Sequence, residues 1–142
     1  MVVRLEFTST FEMLDFVQVV SDHVGQTVGL DDDTRHYVGV AIRECVINAI
    51  KHGNRSDASK YVFVEFSTGH AAGGDAATEL TIRVRDQGEG FDPAAVADCL
   101  APENLLRSSG RGIFLIRSFM DDVQLRRVPE GGMEIRMVKR LP

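Results

Sequence analysis

The sequence has no tryptophan, only two cysteines and four prolines, and no apolar run long enough to cross a bilayer. Each shortage excludes something. A spanning helix needs about 20 consecutive apolar residues. The opening stretch, Met1-Val-Val-Arg-Leu-Glu, alternates apolar and charged residues where a secretory signal would carry a basic flank and an apolar core. The expected location is therefore cytoplasmic, with no membrane partner. Cys45 and Cys99 lack CxxC spacing, and Cys45 falls inside a helical pattern, so neither a disulfide framework nor a zinc site is expected. Both thiols read as small, reduced, buried groups. Positive charge is also short, with 16 Lys and Arg against 21 Asp and Glu giving a net charge of -5. Nucleic-acid binding draws on clustered cations that release counterions from phosphates, so no direct nucleic-acid contact is expected.

What is present fits one globular domain over residues 1–142, with 44% hydrophobic and 26% charged residues. Val2 to Thr8 alternates and reads as a strand. Ser9 or Thr10 can cap a helix from Phe11 to about Val24. Gly25 to Leu30 reads as a break, after which Asp31 to Asp33 supply caps and N-terminal charge for a second helix through Ile50 or Lys51, ended by His52-Gly53-Asn54. Val38, Ile42, Val46 and Ala49, joined by Cys45 and Ile50, mark its buried face. Tyr61 to Ser67 and Glu79 to Arg85 are strand patterns joined by a polar, glycine-rich turn. A glycine-rich turn from Asp86 to Asp92, a short helix from Pro93 to Leu100 and an irregular stretch to Ser109 follow. A helix over Gly112 to Met120 precedes two strands, Val123 to Val128 and Met133 to Val138, joined by the hairpin signal Pro129-Glu-Gly-Gly. Strands interleaved with helices but also paired as hairpins predict a two-layer α/β sandwich, its mixed, mainly antiparallel sheet covered on one face by helices.

Three constellations bear chemistry. Glu44 and Asn48 stand four apart, so on a helix they share a face about one turn, roughly 6 Å, apart. A carboxamide oxygen can ligate Mg2+ beside phosphates and water, and a carboxylate can take a proton from an attacking hydroxyl. A solvated helix face would look the same. Next, Asp86-Gln-Gly88-Glu-Gly90-Phe-Asp92 leaves a strand. Its acid can accept from an exocyclic amine, and its glycines let backbone approach a planar ligand, as adenine would require. An Asx turn is the plain alternative, and a calcium loop lacks the repeated oxygens and distal Glu it would need. Third, Arg107-Ser-Ser109-Gly110-Arg111-Gly112 opens a helix whose free N–H groups attract phosphate, with arginines to add charge-assisted bonds. It is neither a Walker loop nor a dinucleotide fingerprint, and a plain capped helix remains its alternative reading.

Taken in order, Glu44/Asn48, DQGEGFDP and SGRGIFLI followed by Arg117-Ser-Phe-Met-Asp-Asp-Val resemble the N, G1 and G2 boxes of the GHKL ATPase superfamily, most closely its anti-sigma factor serine kinases. The resemblance runs from about Val3 to Met137. It implies the Bergerat-type ATP-binding fold, with ATP and Mg2+ as cofactors. It implies Asn48 as the Mg2+ ligand, Glu44 as the base that activates a partner serine, and Asp86 as the adenine-amine acceptor, with Gly88 and Gly90 shaping the pocket. It also implies a lid over about 92–109, a phosphate turn at Gly110, Arg111 and Gly112, and γ-phosphate contacts from Arg107 and Ser109. The implied partners are an anti-sigma factor antagonist as serine substrate, a sigma factor, and a second copy in a homodimer. The alternative is a non-catalytic nucleotide-binding module that sequesters a regulatory partner. A sensor histidine kinase would need a helical segment bearing its phosphoacceptor, whereas His23, His36, His52 and His70 are scattered and read as ordinary histidines.

Overall fold

The computed structural model describes residues 1–88 and 116–142. Strand β1 (Val2–Thr8) leads through a single 3-10 turn (Phe11–Met13) into helix α1 (Leu14–Thr27), and helix α2 (Asp32–Asn48) continues into a π-helical turn (Ala49–Gly53). Strands β2 (Tyr61–His70) and β3 (Ala77–Arg85) form a hairpin, as do β4 (Asp122–Arg127) and β5 (Met133–Arg140), while residues 116–119 are helical just before β4. The sheet order is β1-β2-β3-β5-β4, and every pairing is antiparallel. The mainly antiparallel sheet expected from the sequence thus contains no parallel pair among its five described strands.

Register assigns each sheet face its chemistry. Leu5, Val64, Val84, Ile135 and Leu125 lie side by side across the five strands and face the helices. One residue along, Arg4, Glu65, Arg83, Arg136 and Gln124 line up on the opposite face, where Glu65 bridges Arg4 at 2.8 Å and Arg83 at 3.6 Å. A shift of one residue in any strand would exchange these sets, so burial of one face specifies the register.

Between the layers, Val17 and Val24 of α1 and Val38, Ile42 and Val46 of α2 pack with Val64, Phe66, Ile82 and Met137 of the sheet in one apolar cluster. Each such side chain, taken from water, contributes about 2 kcal/mol. The apolar stripe expected on the second helix is buried throughout: Val38, Ile42, Cys45, Val46, Ala49 and Ile50 are all core residues. Burial pushes the Cys45 thiol pKa well above its ordinary range, with the neighbouring Glu44 charge adding to the effect, so this thiol is un-ionised and unreactive.

Two local expectations change. The cap at Ser9 or Thr10 does not form: Ser9 Oγ donates to the Lys60 carbonyl instead, and Thr10 lies by Glu12 without capping a backbone N–H. The first helix runs through Gly25 and stops at Thr27, because Gly25 is a packing position; a β-carbon there would come within 2.8 Å of Arg35 Cγ. The chain turns at Gly29, with φ +83°. The expected acidic cap of α2 is present, the Asp31 side chain accepting from the Thr34 N–H at 2.7 Å.

Candidate nucleotide site

Asp86 leaves β3 on the strand's last turn into the loop and is 4% exposed. Its Oδ1 accepts from two backbone N–H groups, those of Gly88 at 2.9 Å and Met133 at 3.2 Å. The Asp86 N–H donates to the Met133 carbonyl at 3.0 Å. Burial raises the carboxyl pKa, while the two N–H donors and the Lys60 charge pull it back. Both described bonds fall on Oδ1, which turns Oδ2 toward Gly53.

Three glycines make this approach possible. A β-carbon at Gly53 would collide with Asp86 Oδ2, one at Gly88 with the Gly53 carbonyl, and one at Gly132 with the Asp86 carbonyl. Gly132 also sits at φ +93°, in the left-handed region that favours glycine. The end of the α2 helix, the Asp86 turn and the β4–β5 hairpin are therefore packed backbone to backbone.

Glu44 and Asn48 lie on α2 one turn apart, both half-buried, at the edge of the buried stripe. Among the described residues neither side chain makes a hydrogen bond or ion pair. Asn48 is the last α-helical residue; the π turn after it carries the chain to Gly53 and so to Asp86. The sequence-predicted base and metal ligand thus lie on one continuous helical segment whose end, Gly53, packs against the sequence-predicted amine acceptor. No group of three or more His, Cys, Asp or Glu suited to holding a metal occurs among the described residues. A magnesium ion here would take one carboxamide oxygen from Asn48 and complete its octahedron with phosphate and water, which is the way that small, tightly hydrated ion is usually held. The half-exposed Asn48 carboxamide fits that requirement.

Gly90, Arg107, Ser109, Gly110, Arg111 and Gly112, the short helix after Pro93, Cys99 and the lid lie outside the described residues. The four histidines are all exposed. Sequence reasoning missed Asn54, Gln87 and Gly132, and it took Gly53 only for a helix stop. The signal was present in His52-Gly53-Asn54, where a glycine and an asparagine end a helix, but the same residues end helices for purely local reasons.

Residues 7–139 match the family model for the histidine kinase-like ATPase domain. A serine-protein kinase RsbW of Staphylococcus epidermidis is 27% identical over 147 residues, covering 96% of this chain and 85% of that protein. An anti-sigma F factor of Clostridium perfringens is 31% identical over 143 residues, covering 97% of this chain and 95% of the relative. Among solved structures, the RsbU and RsbW domains of a Mycobacterium tuberculosis protein superpose with a TM-score of 0.68 at 17% identity, over 99% of this chain and 32% of that longer one. A mycobacterial sensor histidine kinase, MprB, superposes with a TM-score of 0.61 at 16% identity, over 98% of each chain. At these identities the two structures establish a shared fold. Among the described residues, no helix is long and apolar enough to cross a membrane.

Proposed function

Since this chain belongs to the family of histidine kinase-like ATPase domains, we propose that it is an ATP-dependent serine protein kinase and anti-sigma factor, acting in a partner-switching circuit. The observation that carries the reading is the arrangement around α2: a carboxylate and a carboxamide one turn apart, on a helix whose end packs against a buried carboxylate walled by glycines. Support also comes from relatives named serine-protein kinase and anti-sigma factor, each aligned over almost the whole chain.

In the proposed reaction Asp86 accepts a hydrogen bond from the adenine amine. Magnesium, held through Asn48, would neutralise phosphate charge. Glu44 takes the proton from a serine hydroxyl of the antagonist as its oxygen attacks the γ-phosphorus. The bond to the β-phosphate oxygen breaks, ADP leaves, and a phosphoserine remains. Positioning and electrostatics supply most of the rate in such transfers. A phosphate set against acidic or apolar surface weakens an interface by charge repulsion and desolvation, which would give the switch its direction. The partners would be the antagonist and a sigma factor, with the protein itself a cytoplasmic homodimer. Arg107 and Ser109, from the lid side, and the Gly110–Gly112 turn would complete the phosphate end.

The test is to incubate the wild type and Glu44→Gln with ATP in extract of the source organism, with and without Mg2+, and read captured proteins and their phosphoserines by mass spectrometry. An antagonist phosphorylated by the wild type alone supports the kinase. Nucleotide-dependent capture without phosphorylation by either protein would leave a sequestering module and return Glu44 to an ordinary helix residue.

A further inference from the structure

Asn54 follows the π turn and is fully buried. The local backbone is unusual. The Asn54 N–H donates to the Ala49 carbonyl five residues back, the Ser56 N–H reaches the Ile50 carbonyl, and Arg55 and Ser56 adopt φ +51° and +58°. Non-glycine residues in the left-handed region each store about 1 kcal/mol or more, and they persist where surrounding contacts over-determine them. Here the Asn54 carboxamide supplies those contacts. Its Oδ1 accepts from the Gln87 backbone N–H at 2.7 Å. Its Nδ2 donates to the Tyr61 carbonyl at 2.9 Å and to Ser9 Oγ at 2.6 Å. The Gln87 side chain closes the ring by accepting from the Tyr61 N–H at 2.8 Å.

The Gln87 N–H belongs to the peptide that follows the Asp86 α-carbon. The peptide before it is held by Met133 of β5. Asn54 is, among the described residues, the one side chain other than Asp86 itself that bonds the backbone of the Asp86 turn. Its chain neighbour Gly53 forms the wall beside Asp86 Oδ2. One carboxamide thus fixes both the turn that bears the carboxylate and the helix end against which it rests.

We infer that Asn54 is a positioning residue for base recognition, setting the orientation of the Asp86 carboxylate through the Gln87 peptide. The inference rests on Asp86 receiving the adenine amine. A residue that merely filled space would lower stability without altering which base is preferred. A positioning residue governs the discrimination itself, because a displaced carboxylate no longer distinguishes an amine from a carbonyl.

The experiment compares dissociation constants for ATP and inosine triphosphate, which carries a carbonyl in place of the amine, in the wild type, Asn54→Ala and Ser9→Ala. The wild type is expected to prefer ATP. In Asn54→Ala this preference falls about tenfold, the size of one well-placed hydrogen bond, while affinity for inosine triphosphate changes little. Ser9→Ala loses stability but keeps the ratio. A folded Asn54→Ala with the wild-type ratio overturns the inference alone. A wild type that binds both nucleotides equally sinks the adenine role of Asp86, and this inference with it. Should Asn54→Ala be recovered unfolded, amide resonances of the wild type decide the matter: those of the Asn54 carboxamide and the Gln87 N–H shift with adenosine but not with tripolyphosphate. Unmoved resonances on adenosine binding would overturn it.

Discussion

The two ends of the candidate site are built on opposite plans. At Asp86 the carboxylate is buried, gripped by two backbone N–H groups and enclosed by three glycines. At Glu44 and Asn48 the side chains are half-exposed and have no described polar partner. A planar base carries little charge, so its recognition depends on direction, and fixed donors and acceptors in a low-dielectric wall supply direction without reorganisation. A triphosphate with its metal is highly charged and hydrated, and it can organise flexible ligands by its own field. The rigid half is thus made by the fold, whereas at Glu44 and Asn48 no described polar contact fixes the side chains.

This contrast can be broken at several points. The largest effect is expected from Glu44→Gln. Loss of a general base costs about 10²- to 10⁴-fold in rate, so phosphotransfer should collapse while ATP affinity and melting temperature stay near wild type. A variant that transfers phosphate normally would remove Glu44 from catalysis.

Asp86→Asn should act in the opposite manner. Replacing an acceptor with an amide that faces the adenine amine should weaken ATP by about 10- to 100-fold, measured calorimetrically. Thermal stability should hold or rise. Because burial raises the Asp86 pKa, the folded protein takes up this proton more readily than the unfolded chain. The stability so gained is fully present below the unfolded carboxylate range and is lost as pH rises through the raised pKa. Asn at 86 should therefore flatten that part of the stability–pH curve. In the wild type, ATP affinity should fall as pH drops through the same raised pKa, since a protonated acid is a poorer acceptor.

Gly53→Ala is a steric rather than a chemical intrusion. Its methyl would strike the Asp86 carboxyl, so affinity and stability should fall together, the latter by about 1–3 kcal/mol in denaturant titration, as overpacking usually costs. If only stability falls, the glycine wall is packing and not a binding surface. The smallest effect should come from Asn48→Ala in the absence of divalent metal. Affinity for free ATP should be nearly unchanged, and the variant should separate from the wild type only when Mg2+ is added. A loss of equal size without metal would show that Asn48 contacts the nucleotide directly.

The sequence alone determined a good deal. Alternation in β2 and β3, the Pro129-Glu-Gly-Gly turn and the 3.6-residue stripe from Val38 to Ile50 specified the hairpins and the buried helix face, because those patterns arise from local geometry meeting one apolar boundary. Motif order likewise placed Glu44, Asn48 and Asp86 on their elements. Three things were decided only by tertiary structure. Gly25 read as a break but is a packing site, because its contact is Arg35 on another helix. Ser9 read as a cap but bonds Lys60, a partner more than fifty residues away. The Asn54 carboxamide, indistinguishable in sequence from any helix-ending asparagine, gains its role from Ser9, Tyr61 and Gln87, which meet only when β1, β2 and the Asp86 turn are assembled. Sequence periodicity records which side of an element is buried; hydrogen-bond partners distant along the chain leave no period to read.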